Sequence, residues 1–135
     1  MVNKMTVFPT LILAFLAFLL SISTVKATEV NALMSKQLQA PFNEEVEMIT
    51  VRYAPGERSA PHRHNAHTMV YVLSGTVEMQ VEGGELIKVN TGETFYESPD
   101  DIHVISRNTS QTDEAVFLVV FIKSQGAKTV IPLQQ

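Results

Sequence analysis

The sequence predicts one small all-β domain. Beyond residue 45 the apolar residues fall in short, β-branched runs that alternate with polar ones. Turn signals separate these runs at intervals of about 8–12 residues. No stretch after residue 27 keeps helical spacing for more than about three turns. A length of 135 residues suits a single domain, and no repeat or low-complexity linker interrupts it.

The first element is expected to be absent from the mature protein. Phe8 to Leu20 is the one long apolar run, and Pro9 interrupts it. It is shorter than the ~20 residues of a membrane span. It has the layout of a secretory signal: Lys4 at the positive start, Leu11 to Leu20 as the apolar stretch, and Val25 and Ala27 at a small-residue cleavage site. Cleavage after Ala27 would export the remaining 108 residues to the periplasm or the medium. It would remove Lys4 and Lys26 but no acidic residue, so the formal charge falls from -4 to -6. A mildly acidic chain without a basic block offers no nucleic-acid surface. There is no cysteine, so an oxidising compartment adds no disulfide.

Residues 28–45 read as an N-terminal arm that could pair at a barrel edge, in this barrel or in that of a second copy, which makes a homodimer the expected assembly. Residues 46–135 form the barrel domain. Val46 to Tyr53 alternates and is closed by Pro55-Gly56. Met69 to Leu73 ends at Ser74-Gly75. Thr76 to Val81 puts Val77, Met79 and Val81 on one face and leads to the Gly83-Gly84 hairpin turn. Leu86 to Val89 returns to Thr91-Gly92. Thr94 to Tyr96, Ile102 to Ser106, Ala115 to Lys123 and Thr129 to Leu133 complete the set. Tyr71, Met79, Phe95, Phe117, Val119 and Phe121 are the expected barrel lining or sheet packing. Periodicity alone fits a jelly roll, an immunoglobulin-like sandwich or an up-and-down barrel equally well.

The histidines carry the chemistry. His62, His64 and His67 fall within six residues, and His103 stands alone 36 residues beyond. Residues two apart on a strand share a face, so His62 and His64 project together. Neutral imidazole is a ligand for zinc, copper, nickel and iron. Two ligands make a poor site, and His103 is the distant histidine able to add a third.

The spacing resembles the cupin family. Its first motif, G-x5-H-x-H-x3-E-x6-G, is matched by Gly56, His62, His64 and Gly75, with Thr68 where the family has glutamate. Its second motif, G-x5-P-x-G-x2-H-x3-N, is matched by Gly92 and His103. There the proline is displaced to Pro99, the inner glycine is missing and the asparagine comes late, at Asn108.

This resemblance implies a single-domain double-stranded β-helix, a jelly-roll barrel, with one divalent transition metal ion (Fe, Zn, Mn, Ni or Cu) in its mouth. The implied ligands are His62, His64 and His103. Three histidines without a glutamate resemble the iron site of some cupin oxygenases, and they equally suit zinc with an open position. Two residues could replace the missing ligand. His67 adjoins Thr68. Glu97 shares its parity with Phe95 and Pro99, and could enter the barrel as a ligand or as a catalytic base. Arg63 should face outward, and Asp100 and Asp101 should turn the chain. The function implied is a metalloenzyme, oxygenase-like or hydrolytic, acting on a small organic molecule. The alternative is a non-catalytic binding or sensing protein with a structural metal.

Export is checked at the N-terminus. Mass spectrometry of the mature protein should read Thr28-Glu29-Val30, whereas a cytoplasmic product retaining Met1 would contradict it.

Overall fold

In the computed structural model, residues 28–37 and 43–133 are described; the expected export signal, residues 1–27, lies outside them. The alternating runs become strands, and no helix occurs among the described residues. In order they are β1 (Glu29–Gln37), β2 (Glu44–Tyr53), β3 (His62–Arg63), β4 (Ala66–Ser74) and β5 (Thr76–Val81), followed by β6 (Ile87–Asn90), β7 (Thr94–Glu97), β8 (His103–Asn108), β9 (Ala115–Ser124) and β10 (Ile131–Pro132). They form two five-stranded sheets, β1-β2-β9-β4-β7 and β10-β3-β8-β5-β6, with antiparallel pairing throughout. Of the three architectures that periodicity left open, this is the double-stranded β-helix.

Strand β9 organises the first sheet. Its sequence AVFLVVFIKS is apolar at both parities, the pattern of a strand shielded from water on both faces. Phe117, Val119 and Phe121 point into the core, while Val116, Leu118, Val120 and Ile122 lie half-buried on the outer face. Pairing with β9 dictates the parity of β4. Thr68, Val70 and Val72 oppose Phe121, Val119 and Phe117 and face inward. The second sheet supplies Val77, Met79 and Val89 from the other side.

One expectation changes here, and one left open is decided. Tyr71 does not line the barrel: strict alternation along β4 turns it outward, and it is 44% exposed. The N-terminal arm is a strand of its own barrel, since β1 pairs with β2 from Glu29↔Arg52 to Gln37↔Glu45.

The two sheets meet through corners. Asn65 adopts φ 49°, a left-handed conformation that asparagine tolerates better than most residues. It carries the chain from β3 in one sheet to β4 in the other. Gly75, at φ 75°, is a tighter corner: a Cβ there would stand 2.6 Å from the Glu114 carbonyl oxygen and 2.9 Å from Ala115 Cα. Gly83 has the same φ but nothing within 4 Å. Gly75→Ala therefore meets both backbone strain and a backbone clash, and should cost roughly 2–4 kcal/mol. Gly83→Ala meets strain alone, at about 1–2 kcal/mol. Urea titration of the two variants checks the order, and equal losses would contradict it.

Candidate metal centre

The site is built where β3 meets β8. These strands share the register pair His62↔His103, which sets two imidazoles side by side with ring centroids 5.2 Å apart. His64 follows two residues after His62 and turns its ring edge-on to it, with centroids 4.7 Å apart, while resting on Phe121. One ring nitrogen from each of His62, His64 and His103 lies within 4.8 Å of the others. The structure thus gathers the three histidines of the two motifs at one point.

Backbone carbonyls orient two of the rings. His62 Nδ1 donates to the Ala60 carbonyl at 2.8 Å, and His64 Nδ1 donates to that of Thr129 at 2.6 Å. With the proton held on Nδ1, the lone pair of each neutral ring sits on Nε2. The two Nε2 atoms are 3.1 Å apart. Burial lowers the pKa of His62 below the usual histidine value, which keeps that ring neutral near pH 7. Two lone pairs facing each other at this distance repel unless a cation lies between them. His103 adds a second sign: it is buried, and neither ring nitrogen has a hydrogen-bond partner among the described residues. Buried polar atoms left this way call for an unseen partner. The donor set, all imidazole nitrogen, suits a divalent transition metal.

Glu97 enters the site from β7. It is 2% exposed, with Oε1 3.2 Å from His103 Nδ1 and Oε2 3.8 Å from His64 Nε2. The 3.2 Å approach is not aligned for a hydrogen bond. Glu97 is the register partner of Thr68 on the adjacent strand. The carboxylate that the first motif lacks at position 68 is thus present one strand over. Thr68 is fully buried and faces the cavity, its hydroxyl only weakly bonded to the Ala66 carbonyl at 3.4 Å.

His67 does not join the cluster. It has the outward parity of β4, is exposed, and its Nδ1 lies 2.7 Å from the Tyr96 hydroxyl on the outer face. Asp101 is a turn residue, as expected: its carboxylate accepts the Ser98 N–H at 2.6 Å.

Sequence reasoning missed the support beneath His64. Lys123, 5% exposed, donates from Nζ to Glu45 and to the Ala127 carbonyl at 2.7 Å, and stands 3.3 Å from Glu47. Thr129 Oγ1 donates to the same Glu47 at 2.7 Å, and the Thr129 carbonyl holds His64. Burial pulls the pKa of Lys123 down, but Glu45 and Glu47 outweigh it and hold the group above an ordinary lysine. Thr129 is 65 residues from His64, so no local pattern could reveal the link.

These groups open into a cavity of about 440 Å³ between the sheets. Val30 of β1, Val130 and Pro132 of β10 also line it.

Comparison with known proteins agrees with this architecture. The pattern of the Cupin domain family matches residues 49–121. The pectin degradation protein KdgF of Dickeya dadantii (strain 3937) is 29% identical over 63 residues, 46% of this chain and 56% of that protein. The present chain thus spans little more than half the length of that relative. The structure of KdgF from Halomonas sp. superimposes with a TM-score of 0.59 at 16% identity, over 73% of this chain and 81% of that one. An oxalate oxidase in complex with the substrate analogue glycolate gives a TM-score of 0.59 at 27% identity, over 81% of this chain and 56% of that one. With the barrel, the two histidine motifs and the family pattern in agreement, the chain belongs to the cupin family.

Proposed function

We propose that this cupin is a mononuclear metalloenzyme acting on a small organic molecule, oxygenase-like or hydrolytic. Its ion is held by His62, His64 and His103, with Glu97 as the fourth protein group. The observation that carries this reading is the pair of Nε2 lone pairs 3.1 Å apart beside the partnerless His103. Ala60 and Thr129 set the tautomers of His62 and His64, as outer-shell carbonyls do for metal-bound histidine. Two donors about 2.1 Å from one ion lie roughly 3–3.5 Å apart. The Glu97 oxygens, at 3.2 and 3.8 Å from the imidazole nitrogens, stand close to that spacing.

When bound, the ion would supply Lewis acidity, or one-electron chemistry if it is redox-active. Glu97 offsets part of its charge and is the carboxylate able to take a proton from a substrate there. The other carboxylate on the cavity wall, Glu47, is engaged by Lys123 and Thr129. The likeness to an oxalate oxidase supports an enzymatic role. Metal analysis of protein purified from its own host, with oxygen-uptake screening, tests the reading. One equivalent of metal without turnover of any small molecule would favour a binding or sensing protein instead.

The ligand assignment is tested by metal titration. His103→Ala should lower occupancy sharply, and Glu97→Gln should weaken binding about 10- to 100-fold. Exchanging the register partners in one protein, Thr68→Glu with Glu97→Thr, should restore most of that affinity, because the carboxylate moves only one strand. Unchanged affinity in Glu97→Gln would remove Glu97 from the ion's surroundings.

We extend the proposal to assembly. With β1 folded onto its own barrel, the outer face of the first sheet is the surface suited to a second copy. Met69, Tyr71, Leu73 and Tyr96 are exposed there beside the half-buried apolar row of β9. Light scattering at micromolar concentration should give twice the monomer mass, and Tyr71→Arg should halve it. A monomeric wild type would exclude the pairing.

A further inference from the structure

A second concave feature lies on the outer side of the second sheet, where the chain entering β3 runs beside β8. Two points join them, the bridge Arg58↔Arg107 and the pair His62↔His103. Between these points β8 bulges: Gln80 opposes Ile105 and Val81 opposes His103, so Val104 is the extra residue. The result is a groove of about 430 Å³ whose lining includes Arg58, Arg107, Pro61, Val104 and Ile105.

The bridge sets two arginines directly opposite each other. Ser59 N–H donates to the Ser106 carbonyl at 3.0 Å, and Asn108 N–H donates to that of Glu57 at 2.9 Å. Arg58 and Arg107 are thus a non-hydrogen-bonded pair, the position at which opposing Cα atoms come within about 4.5 Å and side chains lie closest. Arg107 alternates with buried Ser106 and Asn108, so this pair points outward. Like charges directly opposite are destabilising. One carboxylate relieves them in part: Glu78 accepts from Arg107 Nε at 2.8 Å and lies 2.6 Å from Nη2. Glu78 in turn stands opposite Lys88, so the row across the sheet reads Arg58, Arg107, Glu78, Lys88. Arg58 is exposed and pairs with no carboxylate among the described residues. On a chain with a net charge of -4, three cations here share a single carboxylate.

A guanidinium is a planar fork of donors that matches an oxyanion, and charge-assisted bonds of this kind are strong. An oxyanion between the two forks replaces their repulsion with attraction, while Pro61, Val104 and Ile105 offer apolar contact to whatever carries it. We propose that the groove binds a small molecule bearing a phosphate or carboxylate group, held by Arg58 and Arg107. The site is separate from the metal centre and does not depend on it, although Ser59, Ala60 and Pro61 line both the groove and the cavity.

Phenyl phosphate and benzoate are the probes, since each joins an apolar ring to one of the two heads. Each is titrated into the zinc-saturated protein while arginine Nε–H and histidine ring resonances are followed by NMR. At least one probe should shift the Arg58 and Arg107 resonances saturably at millimolar concentration or below. Arg58→Gln should weaken that binding about tenfold or more, the loss of one charge-assisted contact. The tighter of the two probes identifies the head. Arginine resonances that stay fixed with both probes, or equal binding to Arg58→Gln, would overturn the proposal. So would shifts confined to the histidines, which place the probe at the ion instead of in the groove.

Discussion

The site depends on the central position of β9. The inner face of this central strand is covered and mainly apolar, with Phe117, Val119 and Phe121 in the core and the paired Lys123 beyond them. Because pleated strands alternate strictly, the register of β4 against β9 then admits no choice. Thr68 faces the cavity and His67 faces outward. The same register carries over to β7 and sets Glu97 beside Thr68. One hydrophobic constraint therefore places the carboxylate of the site and excludes the nearest competing histidine.

Within that frame the histidines are held by groups that carry no signature of their own. The Ala60 carbonyl belongs to the loop entering β3, and that of Thr129 to the segment entering β10. Each holds a proton on one nitrogen of its imidazole and leaves the other as an acceptor. The arrangement is unfavourable when empty, since it turns lone pairs toward each other, and becomes favourable around a cation. Buried Lys123 contributes at a distance. Engaged by Glu45, Glu47 and the Ala127 carbonyl, it fastens the turn that delivers Thr129 to His64. Burying a lysine is costly unless its charge is paired, and here two carboxylates pair it.

The departure at position 68 has a counterpart across the sheet. Threonine there lacks the carboxylate of the first motif, and Glu97 on β7 stands directly opposite in register. A short side chain at 68 also leaves room for the longer one at 97 to reach His64 and His103. With two carboxylates at these positions, the pocket would bury like charges on adjacent strands.

By itself the sequence determined the all-β class and most of the strands, which depend on alternation and turn residues, both local. The trio of His62, His64 and His103 came from the resemblance to the two cupin motifs. The sequence also indicated that Glu97 could enter the barrel, from its parity with the half-buried Phe95. The face to which each parity belongs was another matter. Tyr71 and His67 read as inward candidates because an alternating strand with apolar residues at both parities does not say which side is covered. Only pairing with β9 decided that. The fate of the N-terminal arm, the opposition of Thr68 and Glu97, and the clamp on His64 were likewise settled by tertiary structure. Each joins residues far apart in the chain, and such contacts exist only once the two sheets have closed on each other.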